Sequence, residues 1–421
     1  MSILLRNIKR IIGCDIIKKN HVLKTFMSKS QLVLMHDYVK NELIGNDTLN
    51  YKIIESLKYY EYEEYVYDNF FRNKMTESEL KISDLGEKIL IKYLIKPLFN
   101  ETKDKNLAGD DCAILNIKDY TTVSVSTDRV PSDLIAFRLG LMEYFDLGYY
   151  LAVLNISDIY ASGHEPVGLL LNFGLNNDMK VKDLYSCLKG VKRACIEYRC
   201  IVMGGDLSSS KELSISATSL GVNRAGKPLY RSNSKVGDLV FISKEMGKPA
   251  AAFAYYLRAK KRGLSLNHQE EEILKSQLCS PKVDVMLSKA LSQCTSELSC
   301  MDNTDGIGQS FIEIAEINDV KIILDEEKFL IPDIVEKVAV FLKEEPNLLS
   351  LSACADFQLI GTISKENYNL HEELLVNKIQ IIGEVTEGRG VFLRKDFEVR
   401  EYTDQGWDYF NEEIDRLLEK V

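Results

Sequence analysis

Aspartates that stand next to Gly, Ser or Thr recur along this chain, and they are the residues best suited to chemistry. One such aspartate is typical of a turn, because its side chain caps nearby backbone amides. Several gathered in one cleft would repel one another unless multivalent cations lay between them, and hard carboxylate oxygens suit Mg²⁺. The sequence therefore predicts a magnesium site. The set comprises Asp110, Asp111, Asp128, Asp158, Asp206, Asp302 and Asp305.

The neighbours of these aspartates indicate that the cation accompanies a polyphosphate. The glycines of "MGGD" allow backbone to approach a phosphate closely, and "TDGIGQSFIEIAEI" predicts a helix whose first N–H groups can bind an anion. The chain contains no Gly-x-x-x-x-Gly-Lys-Ser/Thr motif, which excludes a P-loop protein.

Two polar residues, Asn155 and Asp158, interrupt the apolar helical pattern "YLAVLNISDIY". Their spacing of three places both on one face of the helix, with Ser157 near the same edge. Since this helix is apolar almost all round, it is predicted to be buried, and a buried carboxylate needs a partner.

The composition limits the classes of function that fit. A net charge of −10 without a long basic run argues against a nucleic-acid-binding protein. No apolar run approaches the length of a membrane span. Nine scattered cysteines without a Cys-x-x-Cys pair favour reduced thiols, and five separated histidines argue against a zinc site. We expect a cytoplasmic protein with no membrane segment.

The patterning predicts three regions. Residues 1–82 form a helical extension that includes "YYEYEEYVYDNFF", a segment that either packs on its own protein or docks a partner. From residue 83 strands and helices alternate, as is typical of an α/β or α+β enzyme. A turn-rich stretch, "SNSKVGD", predicts a boundary near residue 235, giving bodies at 83–235 and 236–421.

The order of the motifs resembles the thiamine-monophosphate kinase family of the aminoimidazole ribonucleotide synthetase-like superfamily. The resemblance runs from about residue 86 to the end and rests on nine motifs in family order. They are "GDDCAILNI", "STD", "NISDIYASGHEP", "MGGD", "YRSNSKVGD", "SPK", "DNTDGI", "IIGEVTEGRGV" and "GWDYF".

The resemblance implies specific roles for matching positions, with ATP and Mg²⁺ as cofactors. Catalytic roles fall to Asp128, Asp158 and Asp206, and ATP contacts to Gly205, Asp206, Arg231 and Thr304, the last usually serine in the family. The implied magnesium ligands are Asp111, Ser126, Thr127, Asp128, Asp158, Asp206, Asp302 and Asp305.

The acceptor side departs from the family pattern. A histidine that contacts thiamine phosphate is replaced by Ile135, and the Gly-Gly-Glu-Asp element is "ACADFQL", with Ala355 in place of the glutamate. Trp407 matches the family aromatic, and Asn155 completes the predicted acceptor-binding set. Because a site built around a hydrogen bond rejects ligands that cannot make it, we expect the donor side to be retained and the acceptor to differ.

The family resemblance implies transfer of the ATP γ-phosphoryl group to thiamine phosphate or another small metabolite, without a general base if the acceptor is itself a phosphate. For a hydroxyl or amine acceptor, Asp133 and Glu143 are the candidate bases. Two alternatives remain: an ATP-dependent ligase or cyclase that phosphorylates a carbonyl or amide oxygen, and a non-catalytic scaffold. The family also implies an α/β domain that pairs with a second copy through a shared sheet, followed by an α+β domain.

Overall fold

In a computed structural model of the chain, the described residues are 81–82, 98, 122–131, 134–223, 227–243, 245–294, 298–352 and 354–403. They belong to two units, Met1–Pro97 with Asn177–Tyr185, and Leu98–Asn176 with Ser186–Val421. In the first unit the Ile82 amide donates to the Met179 carbonyl at 2.8 Å, and Lys81 pairs with Asp178 at 2.6 Å. The rest of the predicted extension, residues 1–80, lies outside the described residues.

The first sheet of the second unit is mixed and has four strands in the described part of the chain. They are β1 (Thr122–Arg129), β2 (Glu165–Leu175), β3 (Ile201–Ser209) and β4 (Ser214–Asn223), in the spatial order β1-β4-β2-β3. Only β2 and β3 among these pair in parallel. Side chains along β1 alternate between half-buried and exposed, as expected of a strand with one covered face.

One long helix, α2 (Tyr144–Ala161), covers the inner face of this sheet. It follows the short α1 (Ile135–Arg138) and packs on β1, β2 and β4. Its start is fixed by Glu143, whose backbone N–H donates to Asp146 at 2.9 Å. Leu151, Val153 and Ile156 are fully buried, so the prediction of a buried helix is confirmed.

Two glycines allow α2 to approach α3 (Val181–Glu197) closely. A Cβ on Gly148 would lie 1.8 Å from the Cys187 carbonyl oxygen, and one on Gly190 would lie 1.9 Å from the Phe145 carbonyl oxygen. Neither backbone can yield without moving its helix. The position of α2, and of every side chain it carries, therefore depends on these glycines.

The second sheet is formed by the remaining strands of the described chain. They are β5 (Leu239–Ile242), β6 (Ser299–Asp302), β7 (Lys321–Asp325), β8 (Leu359–Ile363), β9 (Gln380–Thr386), β10 (Gly390–Lys395) and β11 (Glu398–Glu401). Their order is β11-β10-β7-β9-β5-β8-β6, and β7 with β10 is the parallel pair. A core of strand residues such as Val240 and Ile322 packs with Phe311.

Helices occupy most of the sequence between these strands. They are α4 (Lys248–Ala254), α5 (His268–Cys279), α6 (Val285–Ser292), α7 (Ile307–Asn318), α8 (Asp333–Leu342), α9 (Pro346–Leu351), α10 (Lys365–Leu370) and α11 (Glu372–Leu375). A π turn at Tyr255–Ala259 extends α4, and Glu326–Lys328 forms a 3₁₀ turn.

The architecture confirms the predicted combination of α/β and α+β folds. The boundary near residue 235 stays a prediction. Within the described ranges, no helix combines the length and apolar character needed to cross a bilayer. All seven cysteines of the described chain are free and buried.

Candidate active site

The site begins where β1 meets α2. Ser126 and Asp128 share the covered face of β1, because alternate residues of a strand point the same way. The fully buried side chain of Asn155 accepts from the Asp128 amide at 3.0 Å and donates to the Leu151 carbonyl at 3.0 Å. Asn155 was predicted to bind the acceptor, but the polar atoms of its side chain are hydrogen-bonded to backbone groups. Its role in this structure is to hold Asp128 in place.

Asp158 lies one helical turn further along α2. Its carboxylate accepts from the Ser126 hydroxyl at 2.5 Å and lies beside the carboxyl group of Asp128, whose pKa it raises. Two carboxyl groups this close cannot both carry a full charge in a poorly solvated site unless a cation or a proton lies between them.

Ser157 links this pair to the second sheet. Its hydroxyl donates to Asp302 Oδ2 at 2.6 Å, although 145 residues separate the two in sequence. Asp302 is the last residue of β6 and is only 1% exposed. The predicted ligands Asp128, Asp158 and Asp302 are therefore neighbours.

The electrostatics of this cluster are those of crowded acids, of which Asp302 is buried and the others are half-buried. Burial, followed by the hydrogen bond and charge of Asp158, raises the pKa of Asp128 to about 7. Burial and the charge of Asp158 raise the pKa of Asp302 to about 7. The pKa of Asp305 is also raised, first by burial and then by Glu313. Such shifts mark sites where a bound cation or proton offsets negative charge.

Arg231 is the cation that acts on this cluster. Its charge lowers the pKa values of Asp302 and Asp305 against the effect of burial, and Nη1 pairs with Glu313 on α7 at 2.5 Å. The side chain is 45% exposed, so its free face can meet an anion. Thr304 is half-buried and lies between Asp302 and Asp305 in sequence, in the turn that precedes α7.

Three predicted residues lie apart from the cluster. The Thr127 side chain is on the opposite face of β1, where it donates to the Ala217 carbonyl at 3.0 Å. Gly205 and Asp206 are on β3, and the register places Gly205 level with Asp128 but three strand spacings away. At about 4.8 Å per spacing the gap is roughly 14 Å, too wide for Asp206 and Asp128 of one subunit to share an ion.

Gly205 nevertheless meets a strict steric demand. A Cβ there would lie 2.0 Å from the Leu171 carbonyl oxygen, because β3 approaches β2 closely just beyond an irregularity in their register. The expected close approach of backbone at "MGGD" therefore occurs, and it is directed toward a neighbouring strand. Contact of Gly205 with a phosphate stays a prediction.

The remaining predicted positions divide between core, loop and undescribed chain. Ile135 is a buried first residue of α1, and Ala355 is half-buried in the segment that precedes β8. Glu143 begins α2, which gives this candidate base a structural role. Four candidates lie outside the described residues: Asp110, Asp111, Asp133 and Trp407.

A cavity of about 440 Å³ lies beside the segment that carries Ala355. Its lining includes the "SPK" motif, Glu245 and Lys248. Asp356, Phe357 and Gln358 form another wall. The last three belong to "ACADFQL", but the motif itself gave no reason to assign them roles. Asn303 joins this wall to Asp302, and its motif "DNTDGI" likewise contains no signal for such a role.

The raised pKa values predict an unusual pH dependence of stability in the absence of metal. Between the ordinary aspartate pKa of 3.8 and about 7, the folded chain retains protons that the unfolded chain has released. The contribution of this cluster to the free energy of unfolding therefore falls as pH rises through that window. In EDTA, Asp128→Asn should reduce the decline in stability between pH 5 and pH 7, measured by denaturant unfolding at each pH. An unchanged slope would contradict this assignment.

Comparison with known proteins agrees with the family resemblance predicted from the motifs. Residues 109–223 match the family model "AIR synthase related protein, N-terminal domain". The thiamine-monophosphate kinase of Pyrococcus horikoshii is 27% identical over 316 residues, covering 74% of this chain and 94% of that protein. The solved structure "AaThiL complexed with AMPPCP and TMP" is 26% identical, with a TM-score of 0.60, and the match covers 79% of this chain and 99% of that chain.

The chain is similar to thiamine-monophosphate kinases over about three quarters of its length. The resemblance predicted from the motifs is confirmed, and the class of enzyme is that of an ATP-dependent kinase. Escherichia coli HypE, a hydrogenase maturation protein, is 18% identical, with a TM-score of 0.59, and covers 75% of this chain and 97% of its own. At that identity the likeness concerns the fold alone.

Proposed function

We propose that this enzyme uses Mg²⁺ and ATP to transfer the γ-phosphoryl group to a small-metabolite acceptor, either thiamine phosphate or a compound of similar size. The observation that carries the proposal is the contact between Asp128 and Asp158, with Asp302 joined to them through Ser157. Carboxylates that lie this close together in a partly buried site are costly to maintain without a cation, and a polyphosphate is the usual partner of that cation.

The donor set fits magnesium in the form that accompanies nucleotides. Within the described ranges, no three His, Cys, Asp or Glu side chains are arranged as a ready-made metal cage. Mg²⁺ does not require one, because it usually keeps several waters and binds one or two carboxylates together with substrate phosphates. Asp128 and Asp158 would supply those carboxylates, and the bound ion would offset charge on the phosphate oxygens.

The protein groups around the cluster have separate tasks in this proposal. Asn155 fixes the backbone of Asp128, and Ser126 orients Asp158. Arg231 can exchange its partly exposed pairing with Glu313 for a phosphate oxygen, since guanidinium groups bind phosphate and carboxylate in similar geometry. Together these groups position the triphosphate for in-line attack.

The acceptor would occupy the cavity walled by Asp356, Phe357 and Gln358. Its volume of about 440 Å³ is within the range of small-molecule sites. Ile135 and Ala355 provide no charged group to an acceptor, which supports a compound other than thiamine phosphate. The buried thiols and the small-molecule chemistry are consistent with a cytoplasmic enzyme.

The test is product analysis with purified full-length protein, ATP and Mg²⁺, in the presence and absence of thiamine monophosphate. Thiamine diphosphate would show that Ile135 and Ala355 are tolerated and that the acceptor is that of the relatives. ATP binding without a thiamine product would direct the search to other metabolites. A condensed product with free phosphate would replace the kinase by the ligase or cyclase alternative. Failure to bind ATP in Mg²⁺ would overturn the proposal.

We also propose that two copies associate through the outer face of the first sheet. Val123 and Val125 on β1 and Leu170 on β2 are 40%, 64% and 40% exposed on the face opposite α2. An apolar sheet face of this kind is typical of an interface.

Val125→Asp should convert a dimer into a monomer, as measured by light scattering coupled to size-exclusion chromatography, because it places a charge in the apolar interface. Val340→Asp is the matched control. Val340 is a similarly exposed valine on α8, and its replacement should leave the mass unchanged. A wild-type monomer, or a Val125→Asp protein that remains dimeric, would contradict this interface.

A further inference from the structure

Asn303, directly after Asp302, is buried and fully engaged by hydrogen bonds. Its Oδ1 accepts from the Gly306 amide at 2.9 Å and from the Ser310 hydroxyl at 3.2 Å, both at the start of α7. Its Nδ2 donates to Asp356 Oδ1 at 2.7 Å. One side chain thus fixes the turn that carries Thr304 and Asp305 and ties that turn to the cavity wall.

The backbone makes the same connection. The Asn303 amide donates to the Gln358 carbonyl at 2.8 Å, and the Asn303 carbonyl accepts from the Phe357 amide at 2.9 Å. Phe357 has a φ of 55°, which is uncommon for a bulky residue and is maintained only where surrounding contacts impose it. Its ring meets that of Tyr150 on α2 edge-on, with centroids 5.5 Å apart.

Asp356 is the hub on the cavity side. Besides Asn303, it accepts from the Gln358 amide at 3.0 Å and from Gln358 Nε2 at 3.1 Å. Burial raises its pKa to about 6, while the bonds from Asn303 and Gln358 act in the opposite direction. An ionised, hydrogen-bonded carboxylate of this kind binds its donors more strongly than a neutral acceptor would.

From this geometry we infer that Asn303 and Asp356 are a positioning pair that sets the placement of Asp302 and Asp305 from the wall of the cavity. The inference rests on the proposed function, because it assigns the pair to the nucleotide and magnesium site. It adds that the cavity-wall segment Asp356–Gln358 and the turn Asp302–Asp305 move as one body. Asp356 itself need not contact the nucleotide, and it acts through Asn303.

The experiment measures AMPPCP binding to the full chain by calorimetry over a series of Mg²⁺ concentrations, and it yields the Mg²⁺ midpoint. Asp356→Ala removes the acceptor of Asn303 Nδ2 and should raise this midpoint about tenfold, as loss of an outer-shell partner of a metal site does. Asp356→Asn, which keeps an oxygen for Asn303, should restore most of the affinity. Glu344→Ala is the matched control. Glu344 is not among the residues that line the cavity and pairs with Arg258, so the midpoint should stay at the wild-type value.

A purely structural role makes a different prediction. Partial unfolding would lower the number of binding sites per chain and leave the Mg²⁺ midpoint of the folded fraction unchanged. That result would overturn the inference. If Asp356→Ala fails to fold, Gln358→Ala, which removes the Nε2 donor to Asp356 together with the bonds of this side chain to Ser243 and the Glu245 carbonyl, should raise the midpoint by a smaller factor, and an unchanged midpoint would again overturn it. If wild-type protein binds no AMPPCP at any Mg²⁺ concentration, the proposed function fails and this inference with it.

Discussion

Asp158→Asn is expected to lower ATP turnover on the order of a thousandfold, the scale of removing one group that stabilises developing charge. Asp158 is placed to act on both its neighbours, because it contacts Asp128 and accepts from Ser126 at 2.5 Å. Asparagine keeps the size of the side chain but removes the charge that would hold a cation. Turnover should be measured with thiamine monophosphate as the probe acceptor and also as acceptor-free ATP hydrolysis.

The matched control is Asp319→Asn. Asp319 lies at the C-terminal end of α7, whereas the turn that carries Asp302 and Asp305 precedes the start of that helix. Asp319 ends that helix in the left-handed conformation, which asparagine tolerates, and its exposed side chain pairs with Arg389. The control should retain wild-type turnover. An Asp158→Asn protein that is folded and fully active would remove Asp158 from the site.

Gly190→Ala is expected to lower the free energy of unfolding by about 3 kcal/mol, at the upper end of overpacking effects. Helix propensity alone predicts the opposite sign, since alanine favours an exposed helix over glycine by about 1 kcal/mol. The close approach of α2 and α3 determines the sign of the stability change, because the Cβ added at residue 190 would lie 1.9 Å from the Phe145 carbonyl oxygen. Denaturant unfolding measures the change.

Lys189→Ala on the exposed side of α3 provides the comparison for Gly190→Ala. This variant should change stability by no more than about 0.5 kcal/mol. Because α2 carries Asp158, Gly190→Ala should also weaken nucleotide binding in the fraction that folds. A stabilised Gly190→Ala protein would show that α2 and α3 are further apart than described.

Local patterning predicted much of the helical part of the site. The three-residue spacing of Asn155 and Asp158, and the apolar surroundings of that helix, correctly predicted a largely buried helix in which Asn155 is buried and Asp158 is half-buried. The start of α7 after "TDG" also follows from local signals, since Gly306, with a φ of 109°, directly precedes the helix. Local sequence determines these features because a helix is built from contacts between near neighbours.

The strand residues were less predictable, because their meaning depends on pairing. The family resemblance implied magnesium-ligand roles for the three consecutive residues of "STD", but the alternation of a strand sends the Thr127 side chain to the far face. The distance between Asp206 and Asp128 depends on the order β1-β4-β2-β3, which no local signal specifies. The contact between Asn303 and Asp356 was not predictable for a related reason. These side chains meet only when β6 and β8 pair side by side.

The bond between Ser157 and Asp302 spans 145 residues and has a consequence for how the chain folds. A contact of such long range requires the closure of a large loop, so it forms after the local structure of α2 and α7. A ligand that binds the completed site therefore finds nothing to bind in the early stages of folding. We expect such a ligand to slow unfolding while leaving the rate of folding almost unchanged. In a cell rich in nucleotide, the folded protein would therefore last longer, although newly made chains would fold no faster.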